Sequence, residues 1–323
     1  MDSGHLPYTI EDHEHLHSAL SGRDLLSLRD VTSAELQEIF DRALRMKANP
    51  QKYASALRGK VLAMIFEKPS LRTRVSFEVA MVQLGGHALD LSASVSLGAR
   101  EAVYDVAKNL ERMVQGIMIR TFGHDRVERM AEYASVPVVN GLTDFSHPCQ
   151  GMADYLTMLE VKDRLQGLQV AYVGDSNNVT HSLMIGAARV GAHLRVASPA
   201  GYQPHPDVIA WVAAEGPSTG ASVEVFEDPV AAVREADVVY TDTWASMGRE
   251  GEAEQRRAIF RPYQVNTKLM AQARPDAIFM HCLPAHRDEE VTNEVIDSAQ
   301  SVVFQQAENR LHVQKALLFA LLR

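Results

Sequence analysis

The sequence predicts an α/β fold of two doubly wound domains, each a mainly parallel sheet flanked by helices, with a C-terminal helix returning to the first domain. Three observations carry that prediction. Short apolar runs alternate with helix-period segments across short connections, the pattern of strands buried in a parallel sheet. The alternation runs twice, interrupted by the turn-rich stretch Asn140-Gly141-Leu142-Thr143-Asp144. A last helix closes the chain with Leu311, Val313, Leu317, Phe319 and Leu321 spread around it, so broad an apolar surface that it must be buried. The 323 residues match about two domains by length, and 46% hydrophobic content supplies a core for each.

Taken in order, residues 1–20 are polar and histidine-rich. His13, His15 and His17 alternate there without the cysteine or carboxylate partners that set a metal geometry, so they read as a terminal segment rather than a metal site. Order begins at Arg23-Asp24-Leu25. Thr32-Ser33-Ala34-Glu35 is a capping box that opens an amphipathic helix with Leu36, Ile39, Phe40 and Ala43 inward. An apolar strand over 61–66 stops at Pro69 and hands over to a helix over 75–84. Strands at 87–91, 116–122 and 136–139, with helices at 103–113 and 127–134, complete the first unit. His147-Pro148 starts a long helix, proline being preorganised for a first turn. The second unit follows with strands at 168–174, 193–197, 222–226, 237–241 and 277–282 and helices at 181–190, 206–214 and 229–236. The division is expected at 145/146: residues 1–145 with the helix 308–323 form one domain, and 146–307 the other.

A net charge of −9 argues against a nucleic-acid or anionic-membrane partner, either of which needs a basic face. Cys149 and Cys282 are the only cysteines, which fits a reducing compartment better than a disulfide scaffold. No stretch has the composition of a signal peptide or a membrane span, so a cytoplasmic protein with small-molecule partners is expected.

Ligands of open α/β sheets bind beyond the carboxyl ends of the strands, and unusual polar residues collect there. Ser70, Arg72, Thr73 and Arg74 follow the first strand where helix N–H groups lack partners, a place for an anion; a capped turn with solvated arginines is the plainer reading. Arg120 ends another strand, and His147 and Gln150 stand at the junction. Gly174-Asp175-Ser176-Asn177-Asn178 lacks the glycine spacing of a dinucleotide site, against a nicotinamide-dependent dehydrogenase, and its adjacent carboxamides suit a carboxylate. Asp242-Thr243-Trp244-Ala245-Ser246-Met247-Gly248 offers an acid and a hydroxyl for an ammonium group. His281-Cys282-Leu283-Pro284 ends the last strand with a thiol. A zinc site from His281, Cys282 and His286 lacks further ligands, and a Cys/His pair for covalent catalysis leaves the anion turn unexplained.

Together these motifs resemble the aspartate/ornithine carbamoyltransferase family over nearly the whole chain. Ser70-Leu71-Arg72-Thr73-Arg74 is similar to the family's Ser-Thr-Arg-Thr-Arg turn, which binds carbamoyl phosphate. The resemblance implies that Ser70, Leu71, Arg72, Thr73, Arg120, His147, Gln150, Cys282, Leu283 and Arg310 hold carbamoyl phosphate, with Arg72, Arg120, His147 and Cys282 catalytic. It implies that Asn178, Asp242, Ser246 and Met247 hold L-ornithine, since Ser246-Met247-Gly248 and His281-Cys282-Leu283-Pro284 match the ornithine branch. The implied reaction moves a carbamoyl group to ornithine's δ-amine, giving citrulline, with no cofactor, no metal and no covalent enzyme intermediate. Acylated ornithine, putrescine and aspartate are the rival acceptors, and a catalytically silent binding subunit is a further alternative. A homotrimer or an assembly of trimers is also implied. Ser96 stands where many relatives carry a glutamine or histidine that reaches a neighbouring subunit's site; Leu71, Ala102 and Val106 are further departures.

Overall fold

The computed structural model describes residues 19–91, 97, 101–245 and 250–323. Two parallel sheets form as expected. In the first, β1 (Val61–Phe66), β2 (His87–Asp90), β3 (Gly116–Arg120) and β4 (Val138–Leu142) lie in the order β2-β1-β3-β4. In the second, β5 (Gln169–Val173), β6 (His193–Ala197), β7 (Ser222–Phe226), β8 (Val238–Thr241) and β9 (Ile278–His281) lie in the order β7-β6-β5-β8-β9. Each order reverses direction beside its first strand, which opens a crevice at the carboxyl ends.

Helices α1 (Ser33–Ala48), α2 (Leu71–Gln83), α3 (Val103–Leu110) and α4 (His124–Tyr133) belong to the first unit. Further along the chain come α5 (Pro148–Lys162), α6 (Asn178–Val190), α7 (Pro206–Glu215), α8 (Pro229–Val233), α9 (Ala253–Phe260), α10 (Thr267–Met270) and α11 (Asn293–Ile296). The last helix, α12 (Val303–Leu322), packs on α1, α2 and α5, so it does return to the first domain. One apolar cluster runs without a break from Phe40, Leu62 and Phe77 through Leu156 and Leu317 to Tyr172 and Leu183. The two sheets therefore share a core through α5, α6 and α12. No helix among the described residues is long and apolar enough to cross a membrane.

Boundaries differ from expectation where a side chain takes over a backbone role. The stretch from Asn140 is strand before it is turn: Asn140 is fully buried and its amide donates to the Leu26 carbonyl at 2.9 Å. Gly141 is needed there because a Cβ would lie 2.5 Å from Met118 Sδ. Helix α2 starts at Leu71 rather than 75, with Ser70 Oγ accepting the Thr73 N–H, and α6 starts at Asn178 rather than 181, capped by Asn177. Helix α12 starts five residues before the expected 308. Helices α9, α10 and α11 were not anticipated; α10 and α11 are four residues each, too short to show a period.

Close approach of α5 and α6 matters for the cleft, because their first turns line it. Gly186 permits that approach, since a Cβ there would sit 2.3 Å from the Tyr155 ring, and the Tyr155 hydroxyl donates to Leu183 O at 2.6 Å. Gly186→Ala is expected to lower stability by about 1–3 kcal/mol through overpacking, read as a fall in the urea unfolding midpoint.

Candidate active site

Between the carboxyl ends of the two sheets lies a cleft of about 740 Å³, lined by the first turns of α2, α5 and α6. Of the residues singled out from the sequence, Ser70, Leu71, Arg72, Arg120, His147, Gln150, Asn178, Asp242, Cys282, Leu283 and Arg310 line it. Ser96, Ser246 and Met247 lie outside the described residues, as do His13, His15 and His17.

At one end three guanidinium groups converge. Arg120 and Arg310 are buried and Arg72 is partly exposed, and the Nε of each is buried without a partner. Thr73 sits below them rather than on the cleft surface: its hydroxyl accepts from Arg310 Nη2 at 2.6 Å and Arg120 Nη1 at 3.5 Å. Burial, with Arg310 and Arg72 adding repulsion, brings Arg120 down to about 9. Burial likewise lowers Arg72 and Arg310. Three desolvated cations sharing one corner is a costly arrangement, and an anion with several oxygens relieves it. Charge-assisted bonds from guanidinium groups to such oxygens are about twice as strong as neutral ones, and the N-terminal dipole of α2 acts in the same sense.

Arg74 does not join this group. Residues two apart on a helix point about 200° apart, so Arg74 turns away from Arg72, pairs with Asp90 and stacks 5.2 Å from the Phe66 ring. The third arginine comes instead from α12. His147 precedes α5 with its Nδ1 buried and unpartnered. Burial first, and the Arg310, Arg120 and Arg72 charges next, hold its imidazole well below the usual 6.5, so it stays neutral at pH 7. Gln150 directs its amide nitrogen to Asp154 Oδ1 at 2.8 Å.

The other end gathers hydrogen-bonded acids and amides. Asp242 accepts from Cys282 Sγ–H at 3.0 Å, from Thr243 N–H at 2.8 Å and from Asn177 Nδ2 at 2.7 Å. Burial and the Asp242 charge push the Cys282 thiol well above 9.0, which keeps it a donor and disqualifies it as a thiolate nucleophile. Asn177 is spent on capping α6 and on Asp242, while Asn178 Nδ2 donates to Thr143 O at 2.6 Å. His281 props the strand end: its Nδ1 accepts the Leu283 N–H at 2.9 Å and its Nε2 faces Glu290 at 3.1 Å, both residues buried. His281, Cys282 and His286 do not assemble as one ligand set. Ligand atoms of Asp242, His281 and Cys282 do approach within 4.8 Å of one another, but both His281 nitrogens are already committed.

Sequence reasoning missed several lining residues. Lys68 is buried beside Asp144 and 4.4 Å from the Phe122 ring centroid; the Lys-Pro pair before the helix cap was the signal for it. Asp175 also lines the cleft and pairs at 2.8 Å with Arg256, a fully buried arginine of α9 that donates to Trp244 O at 2.7 Å and to Glu252 at 2.9 Å. Arg256 thus ties Trp244 and Glu252, on either side of residues 246–249, to the cleft floor. Removing one partner of a buried pair costs about 3–5 kcal/mol, so Arg256→Leu is expected to lose that much in urea unfolding.

Comparison with known proteins agrees with this layout. Residues 23–160 match the family model described as aspartate/ornithine carbamoyltransferase, carbamoyl-P binding domain, and residues 166–321 match that of the Asp/Orn binding domain. An ornithine carbamoyltransferase of Thermococcus kodakarensis is 57% identical over 303 residues, 93% of this chain and 96% of that one. That of Bacillus subtilis is 52% identical over 306 residues, 94% of this chain and 95% of the relative. The solved structure of ornithine carbamoyltransferase from Pyrococcus furiosus superposes with a TM-score of 0.92 at 55% identity, covering 95% of this chain and 99% of the other.

Proposed function

Because the chain belongs to the aspartate/ornithine carbamoyltransferase family, we propose that it transfers the carbamoyl group of carbamoyl phosphate to the δ-amine of L-ornithine. The products are L-citrulline and phosphate, in arginine metabolism. One observation carries the assignment of sites: a single cleft has three guanidinium groups at one end, each with a buried Nε that has no partner, and the Asp242–Cys282 pair at the other.

In this reading the phosphate lies against Arg72, Arg120 and the first turn of α2, where Ser70 and Leu71 present the helix end. Arg310 and the neutral His147 face the carbonyl oxygen, and stabilise the oxyanion that forms when the amine attacks. Gln150 accepts from the carbamoyl nitrogen, as does the chain at Cys282-Leu283. Thr73 acts from beneath by holding Arg120 and Arg310 in register. The neutral δ-amine lone pair attacks the carbonyl carbon, the tetrahedral intermediate collapses, the C–O bond to phosphate breaks, and the departing phosphate takes up the amine's proton. Asp242 and the Cys282 thiol orient the amine, while Asn178 with Ser246 and Met247 takes the α-amino and carboxylate groups.

We place the carbamoyl phosphate half in residues 1–145 with the terminal helix, and the ornithine half in 146–307. A homotrimer, or an assembly of trimers, is part of the proposal. Leu71, Val75 and Val82 expose one apolar face of α2 beside the edge strand β2 with its exposed Leu89, a surface suited to a second copy. Ser96 is assigned to the neighbour's site. Both described cysteines are free thiols, which supports a reducing, cytoplasmic setting.

A panel of amines supplied with carbamoyl phosphate tests the reading. L-Ornithine is expected to give citrulline and phosphate in equal amounts. Preferential carbamoylation of acetylornithine, putrescine or aspartate would move the acceptor assignment, and no turnover with any of them would end it.

A further inference from the structure

Behind the cleft a fully buried carboxyl group collects more contacts than the reaction accounts for. Asp154 lies one turn after Gln150 on α5. Its Oδ1 accepts from Gln150 Nε2 at 2.8 Å and from Gln306 Nε2 at 2.7 Å, and its Oδ2 accepts from the Tyr240 hydroxyl at 3.2 Å. Gln306 Nε2 also donates to that hydroxyl at 3.1 Å, and its Oε1 accepts the His281 N–H at 2.9 Å. All five residues are buried. The cluster is satisfied except at one atom: Gln150 Oε1 is buried and has no partner, on a side chain that lines the cleft.

A carboxamide can present either end to a ligand, since its oxygen and nitrogen differ little in shape. Here an ionised carboxylate, which only accepts, takes the nitrogen and thereby commits the oxygen to the other side. Gln306 reinforces that state, because its own nitrogen is shared by Asp154 and Tyr240 while its oxygen is held by the β9 backbone. We infer that Asp154 is a specificity-determining positioning residue. It locks the Gln150 carboxamide with the oxygen facing the cleft, so that the site demands an N–H donor on the transferred group and rejects acyl phosphates of the same shape.

This rests on the carbamoyl phosphate assignment of the same cleft. Its chemical basis is general: a site built to bond an N–H discriminates strongly against an isostere that lacks it, because the site's own buried acceptor is then left unmet. Acetyl phosphate is that isostere, carrying a methyl group in place of the amino group. Burial pushes the Asp154 carboxyl up to about 7, with the Gln150, Gln306 and Tyr240 bonds and the Arg310 charge pulling it back, so the comparison belongs at about pH 8, where the carboxylate only accepts.

The experiment measures Kd for carbamoyl phosphate and for acetyl phosphate on the full-length protein by calorimetry. Asp154→Asn keeps the shape but can offer Gln150 either an oxygen or a nitrogen. The wild type is expected to favour carbamoyl phosphate strongly, and Asp154→Asn to shrink the Kd ratio by about tenfold or more. Gln150→Leu should shrink it as much, and the double variant should add nothing further. A lesser stability of Asp154→Asn leaves the Gln150→Leu arm to decide. An unchanged ratio in Gln150→Leu, or in a folded Asp154→Asn, overturns the inference, as do losses that multiply in the double variant. A merely structural role for Asp154 would weaken both ligands equally and leave the ratio alone. Failure of wild-type protein to bind carbamoyl phosphate at all would instead overturn the functional assignment beneath it.

Discussion

Replacing Arg72 with alanine is expected to cut citrulline formation by about 10³-fold or more while leaving the fold intact. Loss of a single preorganised donor to a developing oxyanion costs about 10²–10³ in rate, and a charged donor to phosphate oxygens is worth about twice a neutral one. The stability half of the prediction comes from crowding. In the unliganded protein Arg72 adds to the charge that drives down Arg120 and holds His147 neutral. Removing it relieves repulsion, so the unfolding midpoint should hold or rise although a polar contact to substrate is gone. Thermal melting with and without carbamoyl phosphate separates the two effects: the wild type should be strengthened by the ligand, and Arg72→Ala scarcely at all. Turnover near the wild-type rate would remove Arg72 from the mechanism.

The second large effect is on pH. An amine like that of lysine titrates near about 10.4, so between about pH 6 and pH 9 the neutral fraction grows tenfold per unit. With no enzyme group in the way, kcat/KM for ornithine should rise by about 10³ over that range. Asp154, pushed up to about 7, and Arg120, brought down to about 9, act through carbamoyl phosphate binding and are taken out by saturating that substrate. That leaves His147 as the group that stood to interfere. A cationic histidine would lose its proton as pH rises through 6.5, bending the profile in the middle of the window. Burial and its three cationic neighbours depress it, so it is neutral throughout and contributes no bend there. Cys282 stays protonated from the other side, raised by burial and Asp242. Initial rates at low ornithine and saturating carbamoyl phosphate provide the measurement, and a flat profile would contradict attack by the free amine.

Much of this site was legible in the sequence because strand ends and helix starts announce themselves by composition. Ser70 before Leu71 sits where capping chemistry requires it, Pro148 in a first-turn position marks His147 as a helix boundary, and Arg120 closes an apolar strand where only an anion or solvent can meet it. What escaped was anything depending on direction around a helix or on partners far along the chain. Arg72 and Arg74 look equivalent as letters, yet about 200° of helical rotation sends one to the cleft and the other to Asp90. Asn177 and Asn178 look like a matched pair, but one is consumed as a helix cap. Asp154 reads as an ordinary polar position in a helix until Gln306 and Tyr240 arrive on either side of it. Asn140-Gly141 has turn chemistry, and became strand where the Met118 sulfur lies too close for any residue but glycine.

The terminal helix has a consequence for how the molecule is made. Arg310 meets Thr73 across 237 positions, so the corner proposed to receive the phosphate cannot form until α12 has left the ribosome's exit tunnel. At about 5–20 residues per second, nearly the whole of the first sheet has waited through most of synthesis with its half-site open. A chain stopped before α12 would leave the apolar faces of α1, α2 and α5 uncovered.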